Sequence, residues 1–116
     1  MPDIRLLHNP RCSKSRAALD LLRARGIEPE LVDYVGAPLD RDALADMQRA
    51  LGVPAGEMLR RDDLARFGLD PDAELSDVEV LDLLATRPSL LQRPIALRGS
   101  RAVIGRPPER VLELLD

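Results

Sequence analysis

Strand, helix and strand follow one another within residues 1–34, and that order constrains the fold more than any other feature of the chain. Ile4-Arg5-Leu6-Leu7 reads as a first strand, ended by the Asn9-Pro10 turn signal. Ser13 to Arg25 carries a helical pattern with Ala18, Leu21 and Leu22 on one face, and Gly26 stops it. Glu30-Leu31-Val32-Asp33-Tyr34 reads as a second strand. Two strands joined through a helix imply a right-handed crossover and a parallel pair.

The middle of the chain changes character. Residues 40–51, 55–61 and 77–86 read as helices; Leu39-Asp40 and Ser76-Asp77 supply N-caps, and Gly52, Gly68 and Pro88 punctuate. They predict a helical insertion, roughly residues 39–90, between strands two and three. Pro94-Ile95-Ala96-Leu97-Arg98 and Ala102-Val103-Ile104-Gly105 then flank Gly99-Ser100 as a β-hairpin. Pro107-Pro108 opens a last helix through Val111, Leu112, Leu114 and Leu115. The order βαβ, helical insertion, ββα is the α/β, mixed-sheet layout of the thioredoxin fold. The prediction is one domain over residues 1–116, its core roughly residues 3–36 and 93–116. In that fold a reactive thiol lies at the end of the first strand, where Cys12 is. A proline, often cis, precedes the third strand and faces the thiol, and Pro94 holds that place.

Composition narrows the function classes. With 116 residues, 45% of them hydrophobic, the chain supports a core without staples. Aromatic residues are 2%, so the core is built from Leu, Val, Ile and Ala, and surfaces for stacking nucleic-acid bases are nearly absent; no nucleic-acid partner is expected. The net charge of −3 comes from intermixed signs, which argues against a polybasic surface. A single cysteine excludes an internal disulfide. No leader pattern opens the sequence and no apolar run approaches the roughly 18 residues that span a bilayer. A cytoplasmic protein without membrane contact is expected, in a compartment where a lone thiol stays reduced.

Cys12 falls where the first strand turns into the helix, in His8-Asn9-Pro10-Arg11-Cys12-Ser13-Lys14-Ser15-Arg16. A thiol at a helix N-terminus faces unpaired N–H groups and the positive end of the dipole, which can lower its pKa from about 8.5 to between about 3.5 and 7.5. The alternative is a buried cysteine acting as a small hydrophobe, but the polar and cationic flanks favour a nucleophile. Lys14 and Arg16 in the first helical turn oppose the dipole by about 0.3–1 kcal/mol each, a sign that a bound anion would reverse. The helix amides and Arg16, with Lys14 and Arg11 as further contributors, compose an oxyanion site. Lys14 alone reads better as a solvated charge. His8, if its ring approaches the sulfur, would stabilise the thiolate by its positive charge; a structural role is the alternative. As the only histidine it excludes a histidine-based metal cluster. Ser15 makes the motif Cys-x-x-Ser; its hydroxyl can donate to a thiolate but cannot resolve a disulfide, so an external thiol must release any covalent intermediate. Ala18 stands where a Cys-x5-Arg phosphate loop would need arginine, which disfavours that mechanism.

The chain resembles the glutaredoxin-coupled arsenate reductases, in particular a short branch of arsenate-reductase-like proteins, over essentially its whole length. The marks are His8-Asn9-Pro10-Arg11-Cys12 with Ser15-Arg16, Leu59-Arg60, Arg93-Pro94-Ile95 and Arg106-Pro107, while Ser13-Lys14 replaces a small Gly-Thr pair. The resemblance implies that Cys12 is the nucleophile, that His8 and Ser15 activate it, and that Arg60, Arg93 and Arg106 hold the oxyanion. It implies that Cys12 attacks arsenate, that glutathione is the co-substrate and that glutaredoxin releases arsenite, with no tightly bound cofactor and no metal. Two other readings stay open: a regulator resembling the Spx family that binds RNA polymerase, whose Cys-x-x-Cys switch Ser15 removes, and a glutathione-dependent thiol transferase.

Overall fold

The computed structural model describes residues 3–115. The chain divides into two compact units: the segment through Tyr34 together with everything from Arg93 onward, and Val35–Gln92.

The first unit holds a four-stranded sheet of order β2-β1-β3-β4, with β1 (Arg5–Leu7), β2 (Glu30–Val32), β3 (Ile95–Arg98) and β4 (Arg101–Ile104). β1 runs parallel to β2 and antiparallel to β3, and β3 and β4 form the hairpin, so this is the mixed thioredoxin-like sheet that the element order implies. β2 is shorter than expected. It can pair only along the three residues of β1, and after Val32 the chain turns away, taking Asp33 and Tyr34 out of the strand. Leu6 and Leu7 are both buried although they face opposite sides, as expected of a central strand.

Helix α1 (Ser13–Ala24) buries Ser15, Ala18, Leu19 and Leu22, the i, i+3, i+4, i+7 face of an α-helix. Leu21, expected on that face, sits at its edge and is half-buried. The face packs with Ile4 and Leu6, with Ala96 of β3 and with Val111 and Leu114. Those last two lie on Pro108–Leu115, which is a 3₁₀ helix and not the α-helix expected. Pro107 and Pro108 have no N–H, and the i→i+3 bond from Arg110 N–H to the Pro107 carbonyl (3.0 Å) sets the tighter winding. The buried residues Pro108, Val111 and Leu114 recur every third position, the 3₁₀ period. Arg98 Nη1 and Arg101 Nη2 donate to the Leu114 and Glu113 carbonyls at 2.8 and 2.9 Å and cap its end.

The second unit carries α2 (Arg41–Leu51) and α3 (Asp77–Thr86). Asp40 caps α2 by accepting from Ala43 N–H, and Ser76 with Glu79 closes a capping box on α3. Gly52 ends α2 in the left-handed region at φ 68°, a conformation that favours glycine. The helix expected over residues 55–61 is instead a 3₁₀ turn, Ala55–Met58, followed by extended Leu59 and Arg60 and a second 3₁₀ run, Arg61–Phe67. Backbone pairing of Leu59 with Leu91 explains the break, since Arg60 N–H bonds the Leu90 carbonyl at 2.7 Å and Gln92 N–H bonds that of Met58 at 2.8 Å. Asp77 Oδ1 and Oδ2 accept from Ala55 N–H and Gln48 Nε2, tying α3 to α2 and to the 3₁₀ turn. Among the described residues no helix is long and apolar enough to cross a membrane.

Candidate active site

The register of the sheet assembles the site. Leu7, Ile95 and Ile104 stand opposite one another across β1, β3 and β4. The loop that follows β1, the residues before β3 and the residues after β4 therefore emerge side by side at one end of the sheet. The first supplies Cys12, the second Arg93-Pro94, the third Gly105-Arg106. Both Arg-Pro peptide bonds are cis, and Gly105 N–H bonds the Pro94 carbonyl at 2.8 Å just beyond the strands.

The loop into α1 is closed by its own side chains. His8 N–H still reaches the Val32 carbonyl at 3.2 Å; Asn9 Oδ1 then accepts from Arg11 N–H, and the Asn9 carbonyl from Cys12 N–H, both at 2.9 Å. Cys12 is the extended N-cap residue of α1, whose first turn holds no acidic side chain. Its sulfur closes no side-chain cap hydrogen bond, yet it lies within electrostatic reach of the first helix amides. Burial pushes the thiol upward, but the N–H groups of Ser15 and Lys14, a hydrogen bond from Arg93 and the charge of Arg106 outweigh it, leaving the pKa lowered. Arg106 is shared: Nε donates to the Arg93 carbonyl at 2.8 Å, and Nη2 stands 3.6 Å from Cys12 Sγ. A half-buried thiolate held by two guanidiniums and the first helix amides can attack an electrophile that arrives as an anion.

The profile described as the ArsC family matches residues 7–114. This chain belongs to the ArsC family. An arsenate reductase of Neisseria meningitidis serogroup A is 45% identical over 118 residues, covering 99% of this chain and 100% of the relative. The Escherichia coli K12 protein YfgD is 41% identical over 114 residues, covering 97% and 96%. The solved structure of an arsenate reductase from Vibrio cholerae superposes with a TM-score of 0.83 at 35% identity, covering 95% of each chain.

In this ArsC-family chain polar residues of the loop and of α1 surround Cys12. Ser15, fully buried, places its Oγ 2.6 Å from His8 Nδ1 and accepts from Asn9 N–H at 3.0 Å. At the sulfur it is the Ser15 backbone N–H that favours the thiolate. Ser15 Oγ thus accepts from Asn9 N–H and shares a hydrogen bond with His8 Nδ1 whose direction follows the tautomer of the ring. Burial lowers the His8 pKa first, and the charges of Arg23 and Arg16 lower it further. Both influences disfavour the charged ring. Lys14 is exposed and meets the sulfur through its amide. Arg16 is exposed, and its Nη1 donates to the Pro10 carbonyl at 2.9 Å.

Arg60 belongs to the second unit. It pairs through Nε with Asp63 Oδ2 at 2.8 Å, with side chains 23% and 17% exposed. Of the three arginines that the resemblance assigns to an oxyanion, Arg93 and Arg106 meet at Cys12. The bond from Arg106 to the Arg93 carbonyl had one signal in the sequence, the Arg-Pro pair repeated at both ends of the hairpin.

Proposed function

We propose that this chain is an arsenate reductase that uses Cys12 as its nucleophile and glutathione with glutaredoxin as its electron donors. The observation that carries this reading is Arg106 bridging the Cys12 sulfur and the Arg93 backbone, which sets a forked cation beside an ionised thiol. Arsenate is a tetrahedral oxyanion, and planar guanidinium groups grip two of its oxygens at once. Arg60 enters as a third anion ligand through the family resemblance.

The reaction balances as arsenate plus two thiols giving arsenite, one disulfide and water, with arsenic gaining two electrons. Cys12 Sγ bonds to arsenic and one oxygen leaves as water. Glutathione then bonds to the adduct, displacing a second oxygen. A glutaredoxin thiol takes the glutathione sulfur as a mixed disulfide, the electron pair of the sulfur–arsenic bond stays on arsenic, and hydrolysis of the remaining Cys12–arsenic bond frees arsenite. Both reducing thiols are external because the chain has one cysteine. Such donors and an unpaired thiol belong to the reducing cytoplasm.

The test is arsenite production by the purified chain with arsenate, glutathione and glutaredoxin. Production that needs all three, and that Cys12→Ser abolishes, supports the reading; equal rates with and without the thiol would sink it. Arg60→Ala is expected to weaken turnover by raising the KM for arsenate. Reduction of a glutathionylated peptide with no response to arsenate would point to thiol transfer instead.

A further inference from the structure

Arg16 occupies the first turn of α1, where a cation opposes the dipole by about 0.3–1 kcal/mol, and the turn has no acidic side chain to offset it. Its guanidinium points backward along the chain, to the Pro10 carbonyl at 2.9 Å. Three bonds stitch the Asn9–Cys12 loop onto the helix. Asn9 N–H donates to Ser15 Oγ at 3.0 Å, the Pro10 carbonyl accepts from the Arg16 side chain, and the Cys12 carbonyl accepts from Arg16 N–H at 3.0 Å. The last of these is an ordinary helix bond that any residue would make. The Pro10 bond depends on the side chain at position 16.

We propose that Arg16 is a positioning residue: its grip on the Pro10 carbonyl fixes the loop that holds Cys12 Sγ against the first amides of α1, and it acts through that backbone and not as a ligand of the oxyanion. The proposal rests on the arsenate reductase reading only for its place in catalysis; its effect on the thiol needs no substrate. The forces on the sulfur are consistent with it. Burial opposes ionisation there, and the groups that overcome it are the Ser15 and Lys14 amides, Arg93 and Arg106. The charge of Arg16 falls on His8. The contact through which Arg16 bears on the loop is the Pro10 carbonyl, two residues before the cysteine. A planar fork holds a carbonyl in a fixed direction, which a lysine ammonium on a flexible stem does not reproduce.

The experiment measures iodoacetamide alkylation of Cys12 against pH, without arsenate, in the intact chain and in Arg16→Lys and Arg16→Ala, with thermal unfolding of each. Position 16 is exposed, so both variants are expected to fold. Both are expected to alkylate about three- to tenfold more slowly below the wild-type midpoint, as the thiolate fraction falls. Amide exchange at Arg11 and Cys12 is expected to quicken in both. A wild-type profile in Arg16→Lys would overturn the proposal in favour of charge alone. Unmoved profiles in both variants, with a raised KM for arsenate at constant kcat, would make Arg16 an oxyanion ligand. If the wild type shows no arsenate turnover, the proposed function fails while the alkylation comparison still decides the role of Arg16.

Discussion

Arg106 Nη2 stands 3.6 Å from Cys12 Sγ, although 94 residues separate the two in sequence. The same guanidinium holds the Arg93 carbonyl, so its direction is fixed before any substrate arrives. A cation held in this way favours the thiolate and leaves further N–H donors for an incoming oxyanion.

Arg106→Lys keeps the charge and loses the fork. We expect kcat/KM for arsenate to fall about tenfold to a hundredfold, matching the roughly 1.5–3 kcal/mol of a charged hydrogen bond. The Cys12 thiol is expected to move back toward its ordinary value, read by alkylation against pH. The sign for stability follows from the lowered pKa: the thiolate's contribution is complete above the ordinary thiol value and is lost as pH falls through the lowered midpoint. Unfolding midpoints of the wild type should therefore rise with pH across that window, and Arg106→Lys should flatten the rise.

His8 behaves oppositely to a helix-capping cation. Its folded pKa is lowered, so near pH 6 the unfolded chain binds more protons and stability grows with pH up to the ordinary histidine value of about 6.5. Histidine NMR resonances should titrate below that value, and His8→Asn should remove this part of the pH dependence. A midpoint above it would show a charged ring beside the thiolate.

Ser15→Ala removes the hydroxyl that joins His8 Nδ1 to Asn9 N–H. The partners are only part-buried, so the expected loss is about 1 kcal/mol, the low end for an unpaired polar group. The amide of residue 15 survives the substitution, and the Cys12 alkylation midpoint should move less than in Arg106→Lys. Denaturant unfolding and the alkylation profile measure the two effects separately.

Gly105→Ala tests how tightly the end of the hairpin is packed. An added Cβ would lie 2.7 Å from Pro94 Cγ and 3.0 Å from Val111 Cγ1. A proline ring and a β-branched side chain yield little, so the clash outweighs the usual small gain from replacing glycine. We expect a loss of about 1–3 kcal/mol in unfolding free energy together with weaker thiol activation, since Pro94 follows Arg93.

Where the sequence carried local signals, the elements could be read from it. The Asn9-Pro10 turn ends β1, Gly26 follows α1, and Asp40 and Ser76 cap their helices as expected. Residues 55–61 and the last helix depart from the sequence expectation because apolar spacing alone does not separate α from 3₁₀ winding; pairing at Leu59 and missing donors at Pro107 and Pro108 decide it. The run Arg61–Phe67 has one fully buried side chain, Leu64, and so no periodic face to read. At the site, Cys12 and the arginines that meet it were legible as residue types. The pairing of Ser15 Oγ with His8 and with Asn9 N–H was not, because it depends on how the loop folds back over α1.

The hairpin delivers Arg93 and Arg106 together, and β3 must lie beside β1 before either reaches the sulfur. During synthesis Cys12 leaves the ribosome long before Arg93 and Arg106. Until β3 and β4 dock, that cysteine lacks both guanidiniums, so its thiol is exposed but not yet activated by them.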